Sequence, residues 1–483
     1  MPVSPLAPEW LSYPEDVNAL RPVEWAAGVS RSEDDDALAV HGVSVKDIAA
    51  EFGTPLYVMD EDDFRYRARA FKTAFDAAFQ DICGGVDVYY AGKAFLSFDV
   101  ARWVKEEGLR LDTCSGGELA LALRAGLEPA NIGLHGNNKS VAEISRAIEA
   151  GLGRIVVDSL DELGRVAATA RTLNKQANVM LRLTPGVHAH THEFIATAHE
   201  DQKFGLSMVE GDPLLDGAGE IEGKSPAAVA VTRALKDPNI NLLGIHSHIG
   251  SQIFDTDGFA LAAERMVTFL GAVSQVNGVV LKELDLGGGF GIAYTEQDEP
   301  RTPEELAAQL AQIVKTSCEK VGIEPPRISI EPGRSIVGPS TFTLYEVGVR
   351  KTVIVDSEQG DTPRHYVSVD GGMSDNARPV LYDADYSAVL ANRASQADAI
   401  ISRVVGKHCE SGDIVVKDAY LPADIAAGDL LAVPATGAYC WALASNYNYL
   451  GRPAVVAVSD GQARLMIRRE TEDDLFDRDL GAK

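Results

Sequence analysis

The chain has 483 residues, 46% of them hydrophobic and 24% charged, which is enough for two globular domains with sizeable cores. Its 71 acidic against 44 basic side chains give a formal charge of −27, a balance that repels phosphate backbones and anionic membranes, so nucleic acid and lipid are not expected partners. No apolar run approaches the roughly 18–20 residues needed to span a bilayer, and the N-terminus lacks the basic-then-apolar layout of a signal peptide, so a cytoplasmic location is expected. The cysteines (Cys83, Cys114, Cys318, Cys409 and Cys440) are scattered and include no C-x-x-C pair, which argues against a disulfide framework or structural zinc.

Residues 1–36 carry Pro2, Pro5, Pro8, Pro14 and Pro22 and close on Ser32-Glu33-Asp34-Asp35-Asp36 with no sustained apolar period. They read as an extended, poorly ordered acidic arm. Residues 37–59 offer a short strand, a helix over Val45–Phe52 closed by Gly53, and the apolar run Leu56–Met59. That is too little for a core, so this piece must pair with something distant.

From residue 60 the pattern becomes helices alternating with short apolar runs that end in polar residues or glycine, the signature of a parallel α/β fold. Eight such runs end at Lys93, Asp112–Ser115, His135–Asn137, Asp158-Ser159, Arg182–Pro185, His246–His248, Gly287–Gly289 and Glu331–Arg334. Amphipathic segments such as Gly116–Ala125, Val141–Ala150, Asp161–Leu173 and Thr302–Val321 lie between them. The expected fold is α/β, a TIM (β/α)8 barrel over residues 60–345, whose site would gather at the C-terminal strand ends. A doubly wound open sheet is the competing fold; it concentrates its site at one crevice, whereas here nearly every run ends in a chemically useful residue. The long connection from Phe204 to Asn241, with its glycine- and acid-rich stretch Glu210–Lys224, reads as a surface loop followed by a helix. Past residue 345, runs such as Phe342–Val355, His365–Val369, Ser402–Val405, Asp429–Val433 and Ala454–Val458 read as strands of a second, mainly antiparallel β domain over 346–483, to which 37–59 would belong.

Lys93 closes the run Val86–Ala91 in Tyr89-Tyr90-Ala91-Gly92-Lys93-Ala94-Phe95. Burial there would lower the amine pKa and free it to form a Schiff base with an aldehyde; alone, the residue reads equally as a lysine reaching from a strand end to solvent. Asp285-Leu286-Gly287-Gly288-Gly289-Phe290-Gly291 lacks the spacing of a dinucleotide fingerprint, and no P-loop occurs. Its glycines could cradle a phosphate or simply form a tight turn. His188, His190 and His192 could face one way on an extended segment, but Thr184-Pro185-Gly186 signals a loop and no acidic or cysteine ligands accompany them, so no metal is expected. Cys409-Glu410-Ser411-Gly412-Asp413 reads by itself as a structural cysteine and a solvated turn.

Taken together, Tyr89 to Ala94, His246-Ser247-His248-Ile249-Gly250-Ser251-Gln252, the glycine run, Glu331-Pro332-Gly333-Arg334, Cys409 to Asp413 and Gly437-Ala438-Tyr439 resemble the pyridoxal-phosphate decarboxylases of the alanine-racemase-like fold. Pro185-Gly186-Val187, His190-Thr191-His192 and Lys203-Phe204-Gly205 are similar to the diaminopimelate decarboxylases within it, and the resemblance runs over residues 37–465. It implies pyridoxal 5'-phosphate joined to Lys93, with His248 stacked on the ring, Asp112 beside it, and Ser251, Gly288, Gly289, Glu331, Pro332, Gly333, Arg334 and Tyr439 as further cofactor contacts. It assigns Arg334, Arg378 and Tyr382 to the distal carboxylate of meso-diaminopimelate, Glu410 to its distal ammonium, Tyr439 to cofactor and substrate, and Cys409 to proton delivery from a neighbouring subunit of a homodimer. A glutamate at 331 keeps the pyridine nitrogen protonated, which favours loss of carbon dioxide. Ornithine decarboxylases carry Cys-Asp-x-Leu-Asp where this chain has Cys-Glu-Ser-Gly-Asp. The expected reaction is conversion of meso-diaminopimelate to L-lysine and carbon dioxide; the alternatives are decarboxylation of another basic amino acid or a carboxylated polyamine, and a non-catalytic cofactor-binding relative.

Overall fold

A computed structural model describes residues 4–186, 203–209, 224–357 and 360–482. The chain divides into two compact units, one of residues 67–291 with 301–333, the other of 1–66, 292–300 and 334–483.

The first unit is a closed parallel barrel. Its strands are β1 (Val86–Ala91), β2 (Arg110–Thr113), β3 (Ile132–Leu134), β4 (Arg154–Val157), β5 (Ala177–Thr184), β6 (Ile240–His246), β7 (Glu283–Asp285) and β8 (Arg327–Ile330). Each pairs in parallel with the next, and Ile328↔Val86 through Ile330↔Val88 close β8 onto β1. All eight runs read from the sequence are barrel strands, because strands buried on both faces are short, continuous and apolar. The helices that follow start where the sequence supplies a hydroxyl. Ser97, Ser115, Ser140, Ser159, Ser225 and Thr302 each accept a hydrogen bond from the third helical amide, satisfying a donor that the helix itself leaves orphaned. At Ser140 and Thr302 the carboxylates of Glu143 and Glu305 answer back to the cap amide and complete capping boxes. Within this unit Phe290, just past the glycine run, packs its ring 5.6 Å from Phe71 and 5.4 Å from Phe259, which anchors the loop after β7.

The second unit is built on a mixed but mainly antiparallel sheet. Thr341–Val355 pairs antiparallel with Leu56–Asp60, Thr362–Val369 and Leu430–Val433, while Ala454–Ser459 runs parallel to Leu56–Asp60. Thr362–Val369 also lies parallel to Ala399–Val405, which in turn pairs antiparallel with Ile414–Pro422.

Three expectations need correction. The residues expected as a loose arm are instead packed: Leu6, Ala7, Leu11, Tyr13 and Val17 cover Ala399, Ile401 and Tyr420, and Trp25 is buried beside Phe342 at 5.7 Å between ring centroids. Prolines and acids conceal these contacts because the apolar residues follow neither a helical nor a strand period; they pack from turns and irregular stretches. Second, the barrel unit is narrower than 60–345, since Thr341 already pairs with Met59 in the other sheet. Third, residues 292–300 leave the barrel stretch of sequence and fold with the second unit. The histidine run at 188–192 and most of the 210–224 stretch lie outside the described residues; the helix expected after them is Pro226–Lys236. Among the described residues no helix is long and apolar enough to cross a membrane.

Trp25→Ala removes a buried indole from the core of the second unit and is expected to lower unfolding stability by about 3 kcal/mol, read from denaturant midpoints. An unchanged midpoint would restore the loose-arm reading.

Candidate active site

Parallel strands place their C-terminal ends on one rim, and the barrel's sequence-predicted residues collect there. Ala91 N–H donates to Pro332 O at 3.0 Å and Gly92 N–H to Asp112 O at 3.0 Å, so the loops after β1, β2 and β8 are tied directly by backbone. Lys93 follows within two residues. Its side chain is exposed in this chain rather than buried, so packing of the lysine does not supply the desolvation expected from the sequence. Its charge acts on Glu118 and, with burial as the larger cause, helps hold His248 below the ordinary histidine range.

Glycine is required on the rim by space. A Cβ on Gly288 would stand 2.1 Å from Glu331 O, and Gly289 sits at φ +110° with a would-be Cβ 2.4 Å from Gly250 O. These contacts bring the loops after β6, β7 and β8 backbone to backbone. Gly288 N–H donates to His248 Nδ1 at 3.2 Å, which fixes that ring as a neutral acceptor on this side. Ile253 N–H donates to Gly289 O at 2.9 Å, holding the segment that carries the half-buried Ser251.

Below the rim lies a charge cluster that the sequence did not announce. Arg154, the first residue of β4 and 1% exposed, reaches the barrel centre. Its Nη1 lies 2.7 Å from Asp285 Oδ2 and 3.0 Å from Ser329 Oγ, and its Nη2 lies 3.3 Å from Asp112 Oδ1 and 3.5 Å from Glu331 Oε1. The guanidinium covers the Tyr89 ring at 3.5 Å from its centroid. His135 Nε2 stands 3.1 Å from Asp112 Oδ1 and 3.3 Å from Glu331 Oε1, and His246 Nε2 stands 3.0 Å from Glu331 Oε1. Those ring nitrogens are at ion-pair distance without hydrogen-bond geometry.

Asp112 and Glu331 respond differently. Burial pushes Asp112 up, but His135 and Arg154 overcome it and hold the carboxyl well below its usual range. Glu331 is pushed up to about 8 by burial and by Asp285, despite His135 and Arg154. His246 falls to about 3 through burial and is neutral. A single buried guanidinium therefore lies against three carboxyl groups, and of Asp112 and Glu331 it is Glu331 that burial holds protonated in the cofactor-free protein.

The second unit carries its own cluster. Arg334 opens the short helix Arg334–Val337 and donates through Nη1 to Tyr294 OH, with its guanidinium 4.7 Å from the centroid of Tyr439. Arg378 opens the helix Arg378–Tyr382, donates through Nη1 to Tyr386 OH, and lies 4.4 Å over Tyr294. Both arginines are buried, and Arg378 forms no ion pair among the described residues. Tyr382 ends that helix half-buried, and Tyr439 is half-buried at φ +63°. Cys409 and Glu410 are exposed on a braced loop. Asp413 clamps it by accepting from Met373 N at 2.6 Å and His408 N at 2.8 Å, while Cys409 N donates to Asn448 Oδ1 at 3.2 Å.

Sequence reasoning missed Arg154, His135, Tyr294 and Tyr386. Arg154 and His135 did stand next to runs recognised as strands, and a charged residue opening a wholly apolar strand was the available signal for Arg154.

The family described as pyridoxal-dependent decarboxylase, pyridoxal binding domain, matches residues 61–338. A diaminopimelate decarboxylase of Mycobacterium leprae is 50% identical over 473 residues, covering 97% of this chain and 95% of that protein. The chain belongs to the diaminopimelate decarboxylase family. The Bacillus subtilis diaminopimelate decarboxylase is 44% identical over 458 residues, 94% of this chain and 98% of that one. A crystal structure of the diaminopimelate decarboxylase of M. jannaschii in complex with L-lysine is 30% identical, covers 94% of this chain and 98% of that one, and superposes with a TM-score of 0.82. Members of this family are pyridoxal-phosphate-dependent carboxy-lyases, and the barrel fits that cofactor. One ligand atom each from Glu331, His135 and His246 lies within 4.8 Å of the others, and of these Glu331 has the chemistry to hold a protonated ring nitrogen.

In cofactor-free protein Glu331 keeps its proton to about pH 8, whereas the unfolded chain releases it near 4.5. The folded state thus holds the extra proton across that window, so the stability it contributes is complete below the lower value and is lost as pH rises to the upper one. Chemical denaturation of cofactor-free protein between those limits is expected to show a steeper loss with rising pH than Glu331→Gln; equal slopes would assign the proton elsewhere.

Proposed function

We propose that this chain converts meso-2,6-diaminopimelate to L-lysine and carbon dioxide, the closing step of lysine synthesis, in the cytoplasm and as a homodimer. The observation that carries the substrate is Arg378: a guanidinium nine-tenths buried, with no carboxylate partner among the described residues, accommodates a carboxylate brought by a ligand. Ornithine has no carboxylate at its far end, whereas diaminopimelate has one. The lysine complex of the M. jannaschii relative supports the same product.

When bound, pyridoxal phosphate supplies an aldehyde for the substrate amine and a ring that accepts the electron pair left by departing carbon dioxide. The chain's own residues hold and direct. Lys93 Nζ is the amine that keeps the cofactor until substrate displaces it. Ser251, Gly288, Gly289, Pro332 and Gly333 would offer backbone and hydroxyl contacts on the rim, and His248 would stack on the cofactor ring. Glu331 would present its carboxylate to the ring nitrogen and keep the proton on that nitrogen, with Asp112 and Arg154 fixing its surroundings. At the far end of the substrate Arg334, Arg378 and Tyr382 take the carboxylate and Glu410 takes the ammonium, with Tyr439 spanning cofactor and substrate. Cys409 Sγ then returns a proton to the carbon that lost its carboxyl group. The exposure of Cys409 and Glu410 on a rigidly braced loop supports their service to the site of a partner subunit.

Carbon dioxide release from meso-diaminopimelate, ornithine and arginine by purified holoenzyme tests the substrate; preference for ornithine would defeat it. Lys93→Ala is expected to lose the visible cofactor absorbance and nearly all turnover. Cys409→Ala is expected to keep the absorbance while product forms about 100-fold more slowly, the scale of a positioned general acid.

A further inference from the structure

Arg334 and Arg378 are held by phenols. Arg334 Nη1 donates to Tyr294 OH and Arg378 Nη1 to Tyr386 OH. The two phenol rings meet edge to face, 5.1 Å between centroids at 78°. Tyr386, 1% exposed, accepts from Arg378, and its hydroxyl lies 3.6 Å from Cys440 Sγ, within reach of a hydrogen bond between them. The Cys440 thiol lies 3.4 Å from Asn376 Oδ1, and that same oxygen accepts from Arg378 N at 3.3 Å. A chain of contacts results, from Arg378 to Tyr386 to Cys440 to Asn376, whose Oδ1 accepts from both the Cys440 thiol and the Arg378 amide; no member of it carries a carboxylate.

This arrangement costs more than an ion pair would. A buried cation is ordinarily compensated by a carboxylate, and phenols, a thiol and an amide position Arg378 without neutralising it. A carboxylate in the place of Tyr386 would fix the side chain equally well and would compete with any acidic ligand. We propose that Tyr294 and Tyr386, with Cys440 behind Tyr386, are specificity-determining positioning residues that aim the arginine pair and leave Arg378 without a carboxylate partner of its own, ready for the carboxylate retained in the product. Tyr294 links the two halves by bonding to Arg334 and presenting its ring face to Arg378 at 4.4 Å. The inference rests on the reading of Arg334 and Arg378 as carboxylate-binding residues.

The test uses holoenzyme with steady-state decarboxylation of meso-diaminopimelate, and competitive inhibition by L-lysine, which retains that carboxylate, and by 1,5-diaminopentane, which lacks it. Tyr386→Phe is expected to raise KM and the lysine inhibition constant together by about tenfold or more, the scale of one lost hydrogen bond to a charged group, with kcat changed by less than about threefold and diaminopentane inhibition unchanged. Tyr294→Phe is expected to act in the same direction. Cys440→Ala is expected to show a smaller rise that Cys440→Ser reverses, since serine restores a donor and an acceptor; this pair carries the test should Tyr386→Phe fail to fold. Arg378→Ala is measured alongside. A wild-type KM in Arg378→Ala would overturn the carboxylate reading itself. A raised KM in Arg378→Ala with wild-type lysine inhibition in the phenylalanine variants, or equal weakening of lysine and diaminopentane, would overturn the positioning role alone.

Discussion

The barrel is organised about one guanidinium. Arg154 enters from β4 and meets Tyr89 of β1, Asp112 of β2, Asp285 of β7 and Ser329 of β8, so a single side chain ties together five of the eight strands across the axis. A cation so placed is tolerable only when matched, and it is matched by more acid than it can neutralise. Burial, with Asp285 beside it, is what holds the proton on Glu331, and Arg154 works against that shift, so the residue that ties the strands together also tempers the ionisation of Glu331. This explains why the cluster is layered: Asp285 and Ser329 bond Arg154 deep in the barrel, while Asp112 and Glu331 meet its upper nitrogen together with His135.

The two arginine environments of this chain follow opposite rules. Arg154 is surrounded by carboxyl groups and has no capacity left for a ligand, whereas Arg378 is surrounded by neutral hydroxyl, thiol and ring faces. Residue type and burial are the same in both. What differs is the charge of the partners: Arg154 is matched by acids of the barrel, and Arg378 has no carboxylate partner among the described residues.

How legible this was in the sequence depends on where each signal resides. Barrel strands and their order were readable because burial on both faces leaves runs such as Val86–Ala91 and Arg154–Val157 apolar, and because serine caps mark the helices between them. Motif residues such as Lys93, Glu331 and Arg378 were recognisable through resemblance. Tyr294 and Tyr386 were not, since nothing local distinguishes a tyrosine whose partner is an arginine many residues away. The N-terminal stretch was misread for a related reason: Trp25 and Tyr13 bury themselves against Phe342 and Tyr420, and such long-range pairing leaves no periodic trace in residues 1–36. Lys93 was correctly placed at a strand end, yet its exposure shows that position along a buried strand does not dictate burial one turn beyond it.

The second unit gathers its sheet from distant parts of the chain: Leu56–Asp60 lies between Thr341–Val355 and Ala454–Ser459. During synthesis the first of these strands emerges long before either neighbour exists, while every strand of the barrel has left the ribosome by Ile330. The nascent polypeptide therefore carries an apolar ribbon with two bare edges through most of its translation, an invitation to misassociation that ends only when the last segment arrives. Production of this protein should accordingly be governed less by the robustness of its barrel than by how long that ribbon waits, which makes elongation rate and chaperone supply the levers on its yield.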